Sequence, residues 1–235
     1  MIVANISGGK DSVAMCLRLC EEGQHVDEFV FADTGMEFPE CYDAIDRFEK
    51  LTGRNVTRLQ NEHDNPFEYY AIKKEIHRLN DKPRRDGTPR RNQGYGWPSM
   101  LRRWCTKYLK TNIIEKHYRG ALVVNLIGIA ADEPKRIRQD QKKRYPLVEW
   151  GMTESDCLSY CRSRGFYKSP CAYDVIRRVS CFCCPLMNLS QISYLIHHRP
   201  ELWDKIVQLE KEIGEPFKEK GTKYYIDRFN VMEEK

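Results

Sequence analysis

No stretch of the sequence approaches the roughly 18 consecutive apolar residues that a membrane-spanning helix requires. The first five residues, Met1 to Asn5, are uncharged and too few to form a secretory signal peptide, so we expect a cytoplasmic protein without a membrane partner. In that reducing compartment the ten cysteines are not expected to form a disulfide scaffold. Metal ligation, reactivity or burial as small apolar side chains explains them better.

Composition and charge restrict function only weakly. The 235 residues are 41% hydrophobic and 31% charged, which is ordinary for a soluble globular protein and fits one large domain with a small appended lobe. The formal net charge of +5 permits an anionic partner but does not require one.

Apolar strand patterns alternate with helical patterns through the first 147 residues. Strands are predicted over 2–6, 26–32, 55–59 and 121–129, and the helices between and after them include 39–51, 66–79 and 99–118. This alternation predicts an α/β fold with a doubly wound parallel sheet, and the strongly apolar 121–129 is expected at its centre. Residues 1–147 are interpreted as a nucleotide-binding domain. Residues 148–235 are interpreted as a cysteine-rich helical lobe packed on it, with helices over 190–198 and 200–213.

The segment from Ser7 to Ser12 joins the first predicted strand to the first predicted helix. A glycine-rich turn in this position aims backbone N–H groups at one point, where the helix N-terminus adds partial positive charge. Gly8 and Gly9 are expected to let a phosphate approach the backbone, with Lys10 adding a charge. The loop is too short for the GxxxxGK[ST] type and lacks the third glycine of a dinucleotide fingerprint.

The Ser-Gly-Gly-Lys-Asp-Ser loop resembles the PP-loop of the adenine nucleotide α-hydrolase superfamily, whose members cleave ATP between the α- and β-phosphates or act on adenylyl sulfates. Residues 31–40 and 126–136 are similar to two nucleotide-facing segments of phosphoadenosine phosphosulfate (PAPS) reductases, and 145–147 matches their downstream pattern. The resemblance covers residues 1–190 in pieces and implies a Rossmann-like fold of the HUP/PP-loop type. It implies these nucleotide-binding residues: Ser7, Gly8, Gly9, Lys10, Asp11, Ser12, Asp33, Thr34, Gly128, Asp132 and Arg136.

Two departures from the reductase pattern favour ATP as the nucleotide. Lys10 and Asp11 are more similar to the ATP pyrophosphatase branch, which includes the DNA phosphorothioation enzymes. Ala130 stands where many relatives carry an arginine suited to the additional anionic groups of a sulfonucleotide.

A cluster of cysteines follows the predicted nucleotide domain. Cys181, Cys183 and Cys184, followed by Pro185, have a spacing that can turn thiolates toward one metal ion or cluster, and Cys105 is the best fourth ligand. Relatives in the adenylyl-sulfate reductase and DNA phosphorothioation groups carry a four-cysteine [4Fe–4S] site divided between two such segments, although Cys105 is single here. A structural zinc site and plain buried thiols are the alternatives. Helical spacing predicts apolar packing for four others: Cys16, Cys20, Cys157 and Cys161.

The segment over 80–98 is rich in arginine, glycine and proline. Its basic and aromatic side chains could bind a nucleic-acid backbone and stack on bases, or they could form a solvated loop or a lid over ATP phosphates. The residues concerned are Arg84, Arg85, Arg90, Arg91, Tyr95 and Trp97.

The favoured hypothesis is an ATP pyrophosphatase that adenylates an acceptor for sulfur transfer. Lys10, Asp11 and Ser12 are the expected catalytic residues, with Mg²⁺ bridging the phosphates. The resemblance implies a DNA or RNA acceptor, a sulfur-donor protein of the cysteine desulfurase type and a [4Fe–4S] cluster. A sulfonucleotide reductase is the second hypothesis, although no cysteine follows Cys184 to match the usual reductase nucleophile. A non-catalytic nucleotide- or nucleic-acid-binding subunit with structural zinc is the third.

Overall fold

The computed structural model describes residues 1–77, 87 and 92–233, and of residues 230–233 it describes the backbone alone. Within these residues five strands form one parallel sheet in the order β3-β2-β1-β4-β5. The strands are β1 (Ile2–Asn5), β2 (Glu28–Asp33), β3 (Val56–Gln60), β4 (Val124–Ile127) and β5 (Lys143–Arg144). The predicted α/β fold with a parallel, Rossmann-like sheet is confirmed.

The helices lie between and after these strands. They are α1 (Lys10–Glu21), α2 (Pro39–Thr52), α3 (Pro66–Glu68), α4 (Trp104–Thr106), α5 (Asn112–His117), α6 (Pro146–Glu149), α7 (Glu154–Ser163), α8 (Leu189–His198), α9 (Pro200–Ile213) and α10 (Thr222–Glu233). Turns of π-helix follow α3 over Tyr69–Lys73 and precede α5 over Lys107–Thr111. No helix of the described residues combines the length and apolar character needed to cross a bilayer.

Local signals explain where the longer helices begin and end. Pro39 occupies the first turn of α2, and Gly53 ends it in the left-handed conformation with φ 67°. Thr153 and Asp156 form a capping box at the start of α7, and Asn188 and Gln191 form another at α8. Each of these helix ends is determined by residues that lie within four positions of one another, so its signal is local in the sequence.

The fold differs from the prediction in the strand at its centre, in the bounds of two helices and in an additional C-terminal helix. The centre of the sheet is β1, whose Val3 and Ala4 are completely buried, whereas β4 has one buried residue, Leu126. The helix predicted over 66–79 ends at Lys73, and the one predicted over 99–118 begins at Trp104. Helix α10 was not predicted. Apolar content and local periodicity do not determine strand order or the exact length of a helix.

The chain divides into two compact units. The first unit comprises Met1–Asp33, Glu37–Gln60 and Asn112–Cys181, and so contains the whole sheet. The second comprises Thr34–Met36, Asn61–Thr111 and Phe182–Lys235, and its buried side chains include Phe67, Trp104, Trp203 and Phe217. Each unit draws on both sides of residue 147, and the predicted boundary there stays a prediction.

Candidate nucleotide site

The phosphate loop follows β1 at the point where the sheet order reverses. From β1 the chain passes through α1 to β2 on one side, while β4 lies on the other side of β1. In open α/β sheets ligands bind in the crevice outside the carboxyl ends of two such strands. Residues 7–12 follow β1 and Gly128 follows β4, so the fold places both predicted segments at this crevice.

Packing at two glycines fixes the shape of the loop. A Cβ on Gly8 would lie 2.2 Å from the carbonyl oxygen of Cys41 in α2, and its φ is +72°. A Cβ on Gly128 would lie 2.8 Å from the Cα of Ser12. Contact with α2 therefore requires glycine at position 8, and the expected approach of a phosphate to Gly8 stays a prediction.

The two serines of the loop hydrogen bond to the loop itself. The Ser12 hydroxyl accepts a hydrogen bond from the Ser7 backbone N–H at 3.0 Å and donates to the Gly9 carbonyl at 2.9 Å. The Ser7 and Ser12 hydroxyl oxygens are 3.0 Å apart. These bonds hold the turn closed, so the hydroxyls contribute to its shape in this structure.

The start of α1 leaves backbone donors available. Gly9 is the N-cap residue and provides no side-chain cap. Among the described residues no group accepts a hydrogen bond from the backbone N–H of Gly9, Asp11 or Ser12. A Cβ on Gly9 would approach only to 3.4 Å from the Val179 carbonyl oxygen. Unpaired N–H groups at a helix N-terminus are the usual protein site for a phosphate.

Two buried tyrosines hold the backbone of the loop from behind. The Tyr167 hydroxyl donates to the Gly8 carbonyl at 2.7 Å, and the Lys10 N–H donates to the Tyr173 hydroxyl at 2.8 Å. Burial raises the pKa of both tyrosines well above its usual value, so both are neutral. The sequence offered no signal for these residues, because each contact joins positions about 160 residues apart.

Lys10 lies in a buried ion-pair network. Its ammonium is 3.1 Å from both the Asp11 and the Glu154 carboxylates, and its side chain is 5% exposed. Glu154 also accepts a hydrogen bond from Arg177 at 2.8 Å. Burial raises the pKa of Glu154, but the hydrogen bonds from Arg177 and Lys10 outweigh it and leave that pKa lowered. Glu154 and Arg177 were not predicted as site residues.

Asp11 has a carboxylate oxygen with unused bonding capacity. Its Oδ1 lies 3.1 Å from the Lys10 ammonium, yet no described donor is oriented to give this buried atom a hydrogen bond. Burial raises the pKa of Asp11, with Lys10 opposing the shift. A buried, incompletely bonded carboxylate oxygen beside a phosphate site fits a Mg²⁺ ligand, because Mg²⁺ takes one or two carboxylates plus phosphate oxygens.

The predicted residues after β4 lie beside this network. Asp132 accepts a hydrogen bond from the Glu154 N–H at 3.0 Å and lies 3.9 Å from Arg177. Asp132 and Arg177 line an open cleft of about 340 Å³, and Lys10 and Tyr173 line the same cleft. Arg136 instead pairs with Glu133 on a partly exposed turn. The structure thus brings Asp132 to the loop.

Asp33 and Thr34 fall in different units. Asp33 ends β2 and accepts a hydrogen bond from the Tyr42 hydroxyl at 2.8 Å in the first unit. Thr34 is 2% exposed in the second unit, where its hydroxyl accepts a weak bond from the Met36 N–H at 3.3 Å.

The four predicted metal ligands are also divided between the units. Cys181 belongs to the first unit, where its thiol donates to Glu37 at 3.4 Å. Cys105, Cys183 and Cys184 belong to the second, in which burial and then the neighbouring Cys184 raise the pKa of Cys105. The described residues bring together no group of three or more metal-binding side chains. The metal site therefore stays a prediction, and no chemical step is derived through it.

Other cysteines follow the packing prediction. Helix α1 packs against α7, and Cys16, Cys157 and Cys161 are completely buried while Cys20 is half-buried. The Cys161 thiol donates to the Lys10 carbonyl at 3.3 Å.

Some of the predicted nucleic-acid residues lie within the described residues and others lie outside them. Arg84, Arg85, Arg90 and Arg91 lie outside the described residues. Trp97 is 7% exposed, and its indole N–H donates to the Glu215 carbonyl at 3.0 Å. Trp97 therefore supports the interior of the second unit and presents no open ring face for base stacking.

A comparison with known protein families identifies the family of this chain. Residues 1–187 match the phosphoadenosine phosphosulfate reductase domain family. The chain belongs to this family. The family explains why a phosphate loop, the turn after β2 and the segment after β4 occur in one order along a parallel sheet. The family name connects the chain with nucleotide and sulfur chemistry, and the activity itself is a proposal.

Three curated relatives align with this chain at low sequence identity. Two proteins of Methanocaldococcus jannaschii, the uncharacterized proteins MJ0066 and MJ0973, are 26% and 23% identical; each alignment covers 91% of this chain, but 42% and 48% of those proteins. The uncharacterized nin region protein ORF290 of Escherichia phage lambda is 28% identical over 70% of this chain and 60% of its own length. The chain therefore spans about half the length of these relatives.

Proposed function

We propose that this chain is an ATP pyrophosphatase that adenylates an acceptor in preparation for sulfur transfer. The observation that carries the proposal is the combination of unpaired N–H groups at Gly9, Asp11 and Ser12 with the incompletely bonded Asp11 carboxylate beside them. The N–H groups suit phosphate oxygens, and the carboxylate suits the divalent cation that accompanies ATP.

The proposed reaction uses these groups as follows. An acceptor oxygen attacks the α-phosphorus, the bond from this phosphorus to the α–β bridging oxygen breaks, and pyrophosphate leaves with its electrons. The loop N–H groups offset the charge that develops on the phosphates. When bound, Mg²⁺ supplies positive charge to the same oxygens, and Asp11 would hold it. The outer sulfur of a persulfide donor then attacks the adenylated centre, and AMP leaves with the acceptor oxygen. A thiol reductant attacks the donor sulfur, which breaks the S–S bond, releases the sulfur on the acceptor and forms a disulfide between reductant and donor.

Lys10 contributes to this site in a specific way. Because its ammonium is held between Asp11 and Glu154, it fixes the orientation of the Asp11 carboxylate from within the protein. Glu154 and Tyr173 in turn fix the side chain and the backbone of Lys10. The acceptor is proposed to be DNA or RNA, and Cys105, Cys181, Cys183 and Cys184 remain the proposed ligands of a [4Fe–4S] cluster, with zinc as the alternative.

The experiment compares two substrates with anaerobically purified protein. ATP with Mg²⁺, with and without DNA or RNA, is assayed for pyrophosphate, and adenylyl sulfates with a thiol reductant are assayed for sulfite. We expect pyrophosphate release that is lost in Lys10→Ala and retained in Lys135→Ala, a matched change at a lysine in the turn after β4. Sulfite release without pyrophosphate would replace the proposal with the reductase. Metal and sulfide analysis of the same protein separates iron–sulfur from zinc.

A further inference from the structure

The second unit carries an exposed apolar turn that the nucleotide site does not use. Ser99 and Arg102 exchange two backbone hydrogen bonds, at 3.2 and 3.1 Å, which closes a tight turn with Met100 and Leu101 at its tip. Met100 is 76% exposed and Leu101 is 100% exposed. These two adjacent large apolar side chains are therefore available to contact a partner.

Two buried tryptophans flank this turn. Trp97 and Trp104, on either side of it, are both buried, and the indole N–H of Trp104 donates to the Gly96 carbonyl at 3.1 Å. The Trp104 ring also stacks on Tyr95 at 6.0 Å between centroids. These contacts order the tip before it binds a partner. A preordered tip loses less conformational entropy on association.

The surroundings of the tip are positively charged. Arg102 and Arg103 follow it directly, are exposed, and form no ion pair among the described residues. Lys107 is exposed one turn further along. Over the described residues 92–114 the chain has four lysines and arginines and no acidic residue. A polyanion is the partner that this charge distribution fits.

We propose that the Met100–Leu101 turn is a DNA-binding wedge that inserts between stacked base pairs from the minor groove. Proteins that bind this groove combine apolar wedges such as leucine and methionine with arginines that contact the groove and the phosphates. Double-stranded RNA presents a wide, shallow minor groove read through 2′-hydroxyls, to which an apolar tip is poorly suited.

The wedge rests in part on the proposed function, since it assigns the acceptor class to DNA, but it is tested by binding alone. A duplex containing 2-aminopurine becomes more fluorescent when the base is unstacked. Without ATP, we expect wild-type protein to bind this duplex and raise its fluorescence. Met100→Ala/Leu101→Ala should lose the fluorescence rise and about five- to tenfold in affinity, since wedge insertion permits additional contacts. Arg102→Ala/Arg103→Ala should lower the dependence of log affinity on log salt by about 2.

Leu122→Ala is the matched control, because Leu122 is 85% exposed in the first unit. It should bind DNA as the wild type does, and thermal unfolding should show that all variants fold. Equal DNA binding and equal fluorescence by the Met100→Ala/Leu101→Ala variant would overturn the wedge. A preference for duplex RNA, or for lipid vesicles over DNA, would do the same. Loss of the wedge proposal with continued pyrophosphate release would not affect the proposed function. Wedge-dependent DNA binding without pyrophosphate release would contradict the proposed function but not the wedge.

Discussion

In the first unit the predicted nucleotide residues lie mainly along one loop of six residues, whereas in the second unit the predicted functional side chains come from segments far apart in the chain. The loop has the expected place in the fold and unpaired N–H groups. In the second unit Trp97 is buried, and the cysteines described there form no group of three ligands. The geometry of a motif that is local in sequence could thus be predicted from the sequence, whereas the metal-ligand set depends on tertiary structure and stays a prediction.

The strongest test of this comparison is Gly8→Ala. The new Cβ would lie 2.2 Å from a backbone oxygen of α2 at φ +72°, so neither the chain nor its neighbour can yield easily. We expect the free energy of unfolding in urea to fall by about 3 kcal/mol or more.

Gly23→Ala provides the control for backbone strain alone, because its φ is +63° and nothing lies within 4 Å of the added Cβ. It should cost about 1 kcal/mol. Equal losses for the two variants would show that contact with α2 does not shape the loop.

Glu154→Gln tests the buried network behind the loop. Glu154 has a lowered pKa in the folded protein, so its contribution is present above its unfolded pKa of about 4.3 and disappears as the pH falls through the folded value. We expect a loss of about 2 kcal/mol at pH 7 that shrinks towards zero below about pH 4.

Glu149→Gln is the matched control, since Glu149 pairs with Arg144 at 47% exposure and should contribute less than about 0.5 kcal/mol. A difference between Glu154→Gln and wild type that grows as the pH falls would contradict the assigned network.

Trp97→Phe asks whether the second unit uses this residue for packing or for recognition. Loss of the hydrogen bond to Glu215 and of part of the ring should lower the free energy of unfolding by about 1 to 2 kcal/mol. DNA affinity of the folded variant should be unchanged, because phenylalanine keeps a buried ring beside the Met100–Leu101 turn. Unchanged stability with weakened DNA binding would restore Trp97 as a base-stacking residue.

The smallest expected effect is that of Tyr173→Phe. The variant keeps the ring but removes the acceptor of the Lys10 N–H, which should cost about 1 kcal/mol of stability in the absence of nucleotide. Tyr224→Phe, at an exposed tyrosine, should be neutral. A neutral Tyr173→Phe would mean that the tyrosine does not hold the loop.

Part of the fold and of the candidate site could be predicted from the sequence. The strand–loop–helix order, the α7 capping box and the position of Gly128 followed from short segments whose signals are complete in themselves. Glu154 and Tyr173 could not be found in this way, because their contacts with Lys10 cross 144 and 163 residues. The place of β4 beside the centre was missed because apolar content reports burial and not strand order.

The most direct test of the account identifies the bond that is cleaved. ATP labelled at the α-phosphorus is incubated with Mg²⁺, protein and duplex DNA, and the labelled nucleotides are separated for wild type and for Asp11→Asn. The account predicts labelled AMP, free or joined to the acceptor, with a loss of at least about tenfold in Asp11→Asn if the carboxylate holds the cation. Labelled ADP as the product, or AMP formed equally well by Asp11→Asn, would contradict it.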